Sequence, residues 1–279
     1  MSKIVIVGAY GMVGTAFRKE NKDAIPLTLY DCDITNPASI KRMIEIYEPD
    51  VIINSGVINS FVPCAQNPEK AYEVNSIGPL NLAKICRDND ITLVQLSTIN
   101  VFDGTAMTPY TEEDIPNPLS IYGKSKYIAE LYVSSICPHH YIIRMPTMFG
   151  HIEREENIGF PEKMLRMIRD EKKMRVADDK IESISHTRDI AREVYRIIES
   201  NQEYGIYHVF NEGCVSFYEF VVEMADQLGK PINIERGSHR EFGDWRTKPE
   251  YVPMESIKIE PLRNWKEALK DYLDEQNIV

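Results

Sequence analysis

Lys3-Ile4-Val5-Ile6-Val7-Gly8-Ala9-Tyr10-Gly11-Met12-Val13-Gly14 is the stretch that decides the fold. A short apolar run stopped by glycine is the pattern of a parallel strand buried on both faces. Three glycines spaced three apart follow it. A helix is expected from near Gly11, carrying Val13, Ala16 and Phe17 inward. In that context Gly8 allows a tight turn, Gly11 lets backbone approach a pyrophosphate, and Gly14 lets helix pack close on strand. The helix N-terminus then faces the phosphates. A merely structural strand–helix turn could carry the same letters.

The alternation continues outward. Ile25 to Tyr30 reads as a second strand, and Asn36-Pro37 supplies an N-cap and first-turn proline for a helix through Ile46. Val51-Ile52-Ile53 is the third strand, Pro68 to about Cys86 a long helix, and Ile91 to Leu96 the fourth strand. Asn117-Pro118 repeats the cap signal for a helix that Pro138 ends, and Tyr141-Ile142-Ile143 is the fifth strand. Five such units predict an α/β fold, a Rossmann-type doubly wound parallel sheet. Beyond about Gly150 the rhythm changes. Helices at Pro161 to Asp170, Arg188 to Ser200 and Ser216 to Leu228 are separated by short strands such as Tyr207-His208-Val209-Phe210. Glu235 to Pro253 reads as a loop over a site, and Trp265 to Leu273 as a last helix. Residues 1–150 are thus expected to form a dinucleotide-binding domain. Residues 151–279 mainly form a smaller α/β substrate lobe, with some segments returning to the first, and a cleft lies between.

Composition narrows the function. The chain has 279 residues, 43% apolar and 27% charged, ordinary values for a globular protein with a sizeable core. A net charge of −11 argues against nucleic acid or an anionic membrane as partner. Five scattered cysteines (Cys32, Cys64, Cys86, Cys137, Cys214) without CxxC or zinc spacing read as reduced thiols, and the six histidines show no ligand spacing, so no metal is expected. The chain enters a strand at once and has no apolar run near the roughly 20 residues that cross a bilayer, so a cytoplasmic protein without signal peptide is expected. No Gly-x-Ser-x-Gly elbow or Walker lysine motif supports a hydrolase or kinase.

The chemistry sits in Tyr122-Gly123-Lys124-Ser125-Lys126. Tyr122 and Lys126, four apart, share a helix face. An ammonium beside the phenol is expected to depress its pKa below the usual value of about 10. With a dinucleotide as hydride source, the pair describes carbonyl reduction or alcohol oxidation. Ser97-Thr98 ends the fourth strand at the carboxyl edge of the sheet, where a hydroxyl can hold a substrate carbonyl. Asn54-Ser55-Gly56 follows the third strand, where backbone passes close to the cofactor. Asp31 and Asp33 follow the second strand, where an acidic residue would hold the adenosine ribose; either could instead be a turn residue. No arginine nearby is placed to meet a 2′-phosphate, which leans toward NAD and leaves NADP open.

These residues resemble an extended short-chain dehydrogenase/reductase, and most closely the dTDP-4-dehydrorhamnose reductase family. The resemblance runs through Pro49 to Asn54, Val74-Asn75-Ser76-Ile77-Gly78, Leu96-Ser97-Thr98, Val101-Phe102-Asp103-Gly104 and Pro118 to Lys126, then Asp178-Asp179 and Leu262 to Leu269. It implies Thr98, Tyr122 and Lys126 as catalytic residues. It implies Gly8, Gly11, Met12, Val13 and Gly14 at the pyrophosphate and Asp33 and Ile34 at the adenosine half. Ser55, Gly56 and Asn75, with Tyr122 and Lys126, would complete the cofactor site. The implied activity is NAD(P)H-dependent reduction of the 4-keto group of a nucleotide-linked 6-deoxy sugar, with a homodimer allowed for as the assembly.

Three departures stand near the expected pocket. Ile99 replaces an Asp after the threonine, Val62-Pro63 replaces an Asp-Lys pair, and Met145-Pro146-Thr147 replaces Thr-Ser-Trp. The implied substrate therefore need not be the dTDP-rhamnose precursor. A nucleotide-sugar epimerase is the second reading. A non-catalytic partner resembling the regulatory β subunit of methionine adenosyltransferase is the third. The Asp178-Asp179 block and the Trp265 segment favour the reductase, and dehydration is disfavoured because no Asp-Glu pair follows Thr98.

Overall fold

The computed structural model describes residues 2–153, 158–243 and 245–276. The opening stretch forms β1 (Ile4–Val7), all four residues buried, and α1 (Met12–Glu20). β2 (Ile25–Leu27) ends three residues earlier than expected. The cause is local: the Asp31 carboxylate accepts from the Thr28 N–H and hydroxyl at 2.8 and 2.7 Å, folding the chain into a turn. α2 (Pro37–Tyr47) is capped by the Asn36 side chain, which accepts from Ala38 N–H. β3 (Val51–Asn54) follows.

After α3 (Phe61–Gln66), the expected long helix is three pieces in one run. α4 (Pro68–Tyr72) passes through a π-helical turn, Glu73–Ile77, into α5 (Gly78–Asp88). β4 (Thr92–Thr98) and α6 (Ile121–Ile136) come next. The cap of α6 is Ser120, whose hydroxyl accepts from Gly123 N–H at 2.9 Å. Asn117, expected in that role, instead donates to Asp103 at 2.8 Å.

The second half supplies β5 (His140–Met145), β6 (Thr147–Phe149), α7 (Phe160–Arg169), β7 (Met174–Ala177), β8 (Ile181–Glu182), β9 (Ile184–His186), α8 (Thr187–Glu199) and β10 (Gly205–His208). β11 (Asn211–Glu212), β12 (Val215–Ser216) and α9 (Phe217–Gln227) follow, then β13 (Ile234–Gly237), β14 (Tyr251–Val252), β15 (Leu262–Asn264) and α10 (Trp265–Gln276). The segment expected as a loop from Glu235 to Pro253 contains more order than its polarity suggests: β13 pairs parallel with β7 and β14 with β8. Asp244 within it lies outside the described residues.

The main sheet is six-stranded and parallel, in the order β10-β5-β4-β3-β1-β2. Its sixth strand is β10, so Tyr207-His208, expected in the lobe, belongs to this sheet. Helices cover both faces. One apolar cluster joins α1 and α8 to the sheet through Phe17, Ile190, Val194 and Ile197. The other sets α2, α5 and α6 on the opposite face through Ile40, Met43, Leu82 and Val133. The strand order reverses between β1 and β3, the point where open α/β sheets bind ligands at their carboxyl ends. A third cluster packs α7, α9 and α10 around Phe149, Leu165, Phe220 and Trp265. Together these are a Rossmann-type sheet with a second, smaller α/β core.

Candidate active site

The glycine loop is shaped by close approach. Gly8 has φ +73°, and a Cβ there would stand 2.8 Å from Gly56 N, so the turns after β1 and β3 touch backbone to backbone. A Cβ on Gly14 would stand 2.4 Å from Gly8 O and 2.7 Å from Ala9 Cα. Gly11 is different: its Cβ would meet only Gly8 O, at 3.7 Å, leaving open space over the start of α1. Gly11 caps that helix with no side-chain acceptor. Free helix N–H groups and an open surface above them suit a phosphate, so the loop fits a dinucleotide.

Ser55 donates to the carbonyls of Val7 and Gly8 at 2.8 and 3.0 Å, tying the two turns together. Asn75 lies in the π-helical turn, buried. It accepts from Ile58 N–H at 2.8 Å and donates to Ile58 O and the Ser125 hydroxyl, each at 3.1 Å. The extra residue of a π turn rotates that side chain toward the loop after β3. The Asp33 carboxylate accepts from the Thr35 N–H and hydroxyl at 2.9 and 2.8 Å, a turn-closing contact. Ile34 is buried in the core below Gly78.

A cavity of about 650 Å³ runs from this loop across the carboxyl edge of the sheet to the second core. Met12, Val13, Ser55, Thr98, Tyr122 and Lys126 line it. Gly8, Gly11, Gly14, Gly56, Asp33, Ile34 and Asn75 do not line it. Of the three sequence departures, Met145-Pro146-Thr147 forms part of the wall. Ile99 is instead wholly buried beside Val101 and Phe102, and Val62 faces solvent, because α3 turns the neighbouring Phe61 inward against the Tyr122 ring at 5.9 Å.

The Thr98 hydroxyl accepts from the Asn100 N–H and side-chain amide at 3.2 and 3.1 Å. That leaves its own proton to donate, and its hydrogen bond to Tyr122 favours the phenolate. Burial outweighs that contact and pushes the Tyr122 phenol up to about 12, with the Cys64 thiol acting in the same direction. The expected depression by Lys126 is overturned for the protein alone. The Lys126 ammonium donates to Leu96 O at 2.6 Å. Burial lowers its own pKa to about 8, against the pull of the Glu130 carboxylate and Cys64.

Of the other wall residues, Phe160 opens a block, Phe160 to Ile168, that also resembles the family, whereas Lys180, Glu182 and Phe217 carried no signal in the sequence. Phe160 and Phe217 stack at 4.1 Å between centroids, and Lys180 stands 5.2 Å over the Phe217 ring. Lys180 donates to Glu182 at 2.9 Å and Pro249 O at 3.0 Å. The other oxygen of Glu182 is buried without a partner among the described residues, an acceptor available to a ligand. These residues are brought together by β8 and the starts of α7 and α9, contacts far apart in sequence. Among the described residues no His/Cys/Asp/Glu group could hold a metal, and no helix is long and apolar enough to cross a membrane.

The chain is similar to known proteins along nearly its whole length. The family model described as RmlD substrate binding domain matches residues 2–278. The spore coat polysaccharide biosynthesis protein SpsK of Bacillus subtilis is 32% identical, over 99% of each chain. A crystal structure of a dTDP-4-dehydrorhamnose reductase from Clostridium acetobutylicum superposes with TM-score 0.92 at 32% identity, over 99% of each chain. One from Bacillus anthracis in complex with NADP gives TM-score 0.92 at 26% identity, over 98% of this chain and 99% of that one.

Proposed function

This chain belongs to the RmlD substrate binding domain family, and from that premise we propose that it reduces the 4-keto group of a nucleotide-linked 6-deoxy sugar. It is an NAD(P)-dependent oxidoreductase of the short-chain dehydrogenase/reductase type. The observation that carries the reading is the placement of Thr98, Tyr122 and Lys126 on the wall of one cavity that begins at the bare N-terminus of α1.

When bound, the nicotinamide supplies the hydride; the protein supplies position and a proton. Gly8, Gly11, Met12, Val13 and Gly14 form the pyrophosphate cradle. Asp33 and Ile34 flank the adenosine half, and Ser55 and Gly56 keep the neighbouring turn low. Asn75 fixes that turn by holding Ile58. With the sugar bound, Thr98 turns its hydroxyl proton from Tyr122 to the sugar carbonyl oxygen and orients it, and Tyr122 delivers the phenolic proton to that oxygen. A phenol held near 12 rests fully protonated at neutral pH, the state that reduction requires. Lys126 stabilises the phenolate left behind and holds the nicotinamide ribose.

Residues 1–150 serve the nucleotide and residues 151–279 mainly the sugar, with α8 and β10 returning to the first core. Met145-Pro146-Thr147, at the junction, shapes the sugar end. The reading extends to a cytoplasmic enzyme that uses NAD or NADP, the choice between the two left open with a lean to NAD, and allows for a homodimer as the assembly. The test is to mix the protein with NADH or NADPH and a panel of 4-keto-6-deoxy nucleotide sugars. Stoichiometric loss of reduced cofactor is expected. Product formed without net cofactor consumption would replace reduction by epimerisation.

A further inference from the structure

We propose that Glu130 is a positioning residue for this reaction: its buried carboxylate locks the ends of β4 and β5 onto α6 and presents the counter-charge that keeps Lys126 an ammonium. The proposal rests on the roles given above to Tyr122, Lys126 and Thr98. Glu130 is 2% exposed and sits one helical turn beyond Lys126. One of its oxygens accepts from the Ser97 hydroxyl at 2.5 Å, and the residue after Ser97 is Thr98. The guanidinium of Arg144, also 2% exposed, grips the carboxylate from Nε at 3.1 and 3.2 Å and from Nη2 at 2.8 Å. Ser97 and Arg144 are register partners on β4 and β5, as are Thr98 and Met145 next to them. A single carboxylate therefore fixes two strand ends and the catalytic helix together, directly behind the cavity wall.

Arg144 is itself held. Its guanidinium lies 5.1 Å over the Phe102 ring, and Nη1 reaches His208 Nε2 at 3.4 Å. The other nitrogen of His208 faces the carbonyls of Tyr110 and Glu255, each at 3.0 Å, so that nitrogen carries the proton and Nε2 accepts from Arg144. Burial keeps this imidazole neutral, its pKa lowered to about 4. The charged and titratable groups that act on the Lys126 amine are then Glu130 on its own helix and Cys64 on α3, with Arg144 paired to Glu130. Among these, Glu130 is the counter-charge.

Glu130→Gln preserves the shape and one acceptor for Ser97 while removing the charge. Turnover is expected to fall at least about tenfold with KM for NADPH within about threefold. The alkaline limb of kcat/KM should move down by at least about half a pH unit. A readout independent of activity is the side-chain NMR titration of Lys126 in the cofactor-free protein, identified by its loss in Lys126→Arg: its midpoint near 8 should fall in Glu130→Gln. Ser97→Ala removes one hydrogen bond and keeps the charge, so turnover should drop severalfold with the limb and the midpoint unmoved.

Leaving Arg144 unpaired is itself destabilising. If Glu130→Gln does not fold, the double variant Glu130→Gln/Arg144→Met is titrated against Arg144→Met, so that the difference in Lys126 midpoint isolates the Glu130 charge. An unchanged Lys126 midpoint in the folded variant, or an equal shift in Ser97→Ala, overturns the proposal. If the natural chain reduces no sugar, the reaction assigned above fails, while the Lys126 titration still judges the counter-charge.

Discussion

Two alanine substitutions in the nucleotide loop should part company, because the two glycines are small for different reasons. In Gly14→Ala the new Cβ would stand 2.4 Å from Gly8 O, whereas ordinary contact begins near 3.4 Å. The obstacle is backbone on a turn already pressed against Gly56, so α1 must retreat by about 1 Å. Overpacking of that kind costs about 1–3 kcal/mol. In a chain of this size that lowers Tm by roughly 2–4 °C per kcal/mol. A helix start displaced by that distance also loses hydrogen bonds to charged oxygens, at about 1.5–3 kcal/mol each. NADPH binding should therefore weaken by about tenfold to a hundredfold or more. In Gly11→Ala the new Cβ meets only an ordinary contact at 3.7 Å, and Gly11 has φ −75°, which alanine adopts freely. The fold should be kept to within about 1 kcal/mol, the scale of an N-cap change, while the methyl intrudes on the space where phosphates would sit. Differential scanning calorimetry and cofactor fluorescence titration measure the two effects. Natural-like melting of Gly14→Ala would refute the close packing of helix on turn. Natural-like NADPH affinity in Gly11→Ala would refute the phosphate site.

Tyr122→Phe should lose at least about two orders of magnitude in turnover, the scale of a positioned proton donor, with NADPH affinity preserved. A near-natural rate in single-turnover measurements would remove the phenol from the mechanism. With the Lys126 pKa lowered to about 8, kcat/KM should decline as pH rises through that value, since the ammonium is the working form. A profile flat to pH 10 would contradict this. His208 has its pKa lowered from 6.5 to about 4. Below 6.5 the unfolded chain takes up a proton that the folded chain refuses, so stability should fall as pH drops from about 6.5 toward 4. Urea midpoints across that range, compared with His208→Gln, would show the slope flattened in the variant.

The local grammar of the fold is plain in the sequence wherever a residue's role depends on its neighbours in the chain. Pro37 after Asn36, the apolar β1, and the glycine spacing are such cases, and the strand–helix alternation follows from them. Ser120 was missed as a cap because Asn117-Pro118 mimics the same signal; the difference is that Asn117 is taken by Asp103, fourteen residues back. The short β2 was missed because Asp31 closes its turn on Thr28 in a stretch with strand-like letters. Tyr122, Lys126 and Thr98 were legible from helix spacing and strand end. The direction of the Tyr122 shift was not, since it depends on how deeply Phe61, Thr98 and Cys64 enclose the ring. Lys180, Glu182, Phe160 and Phe217 are brought together only by tertiary packing, so no spacing announces them.

The place of β10 at the edge of the main sheet carries a consequence for biogenesis. Until the ribosome has delivered residues 205–208, β5 ends the sheet with an unpaired ladder of N–H and C=O groups. Until α8 arrives, Phe17 lacks the Tyr195 ring that covers it at 5.5 Å. The nascent nucleotide-binding half is thus a sticky intermediate, and a fragment stopped at residue 150 should aggregate rather than fold. Long-range closure of this kind makes folding slow relative to helical proteins of equal size, and exposes the chain to chaperones through most of its synthesis.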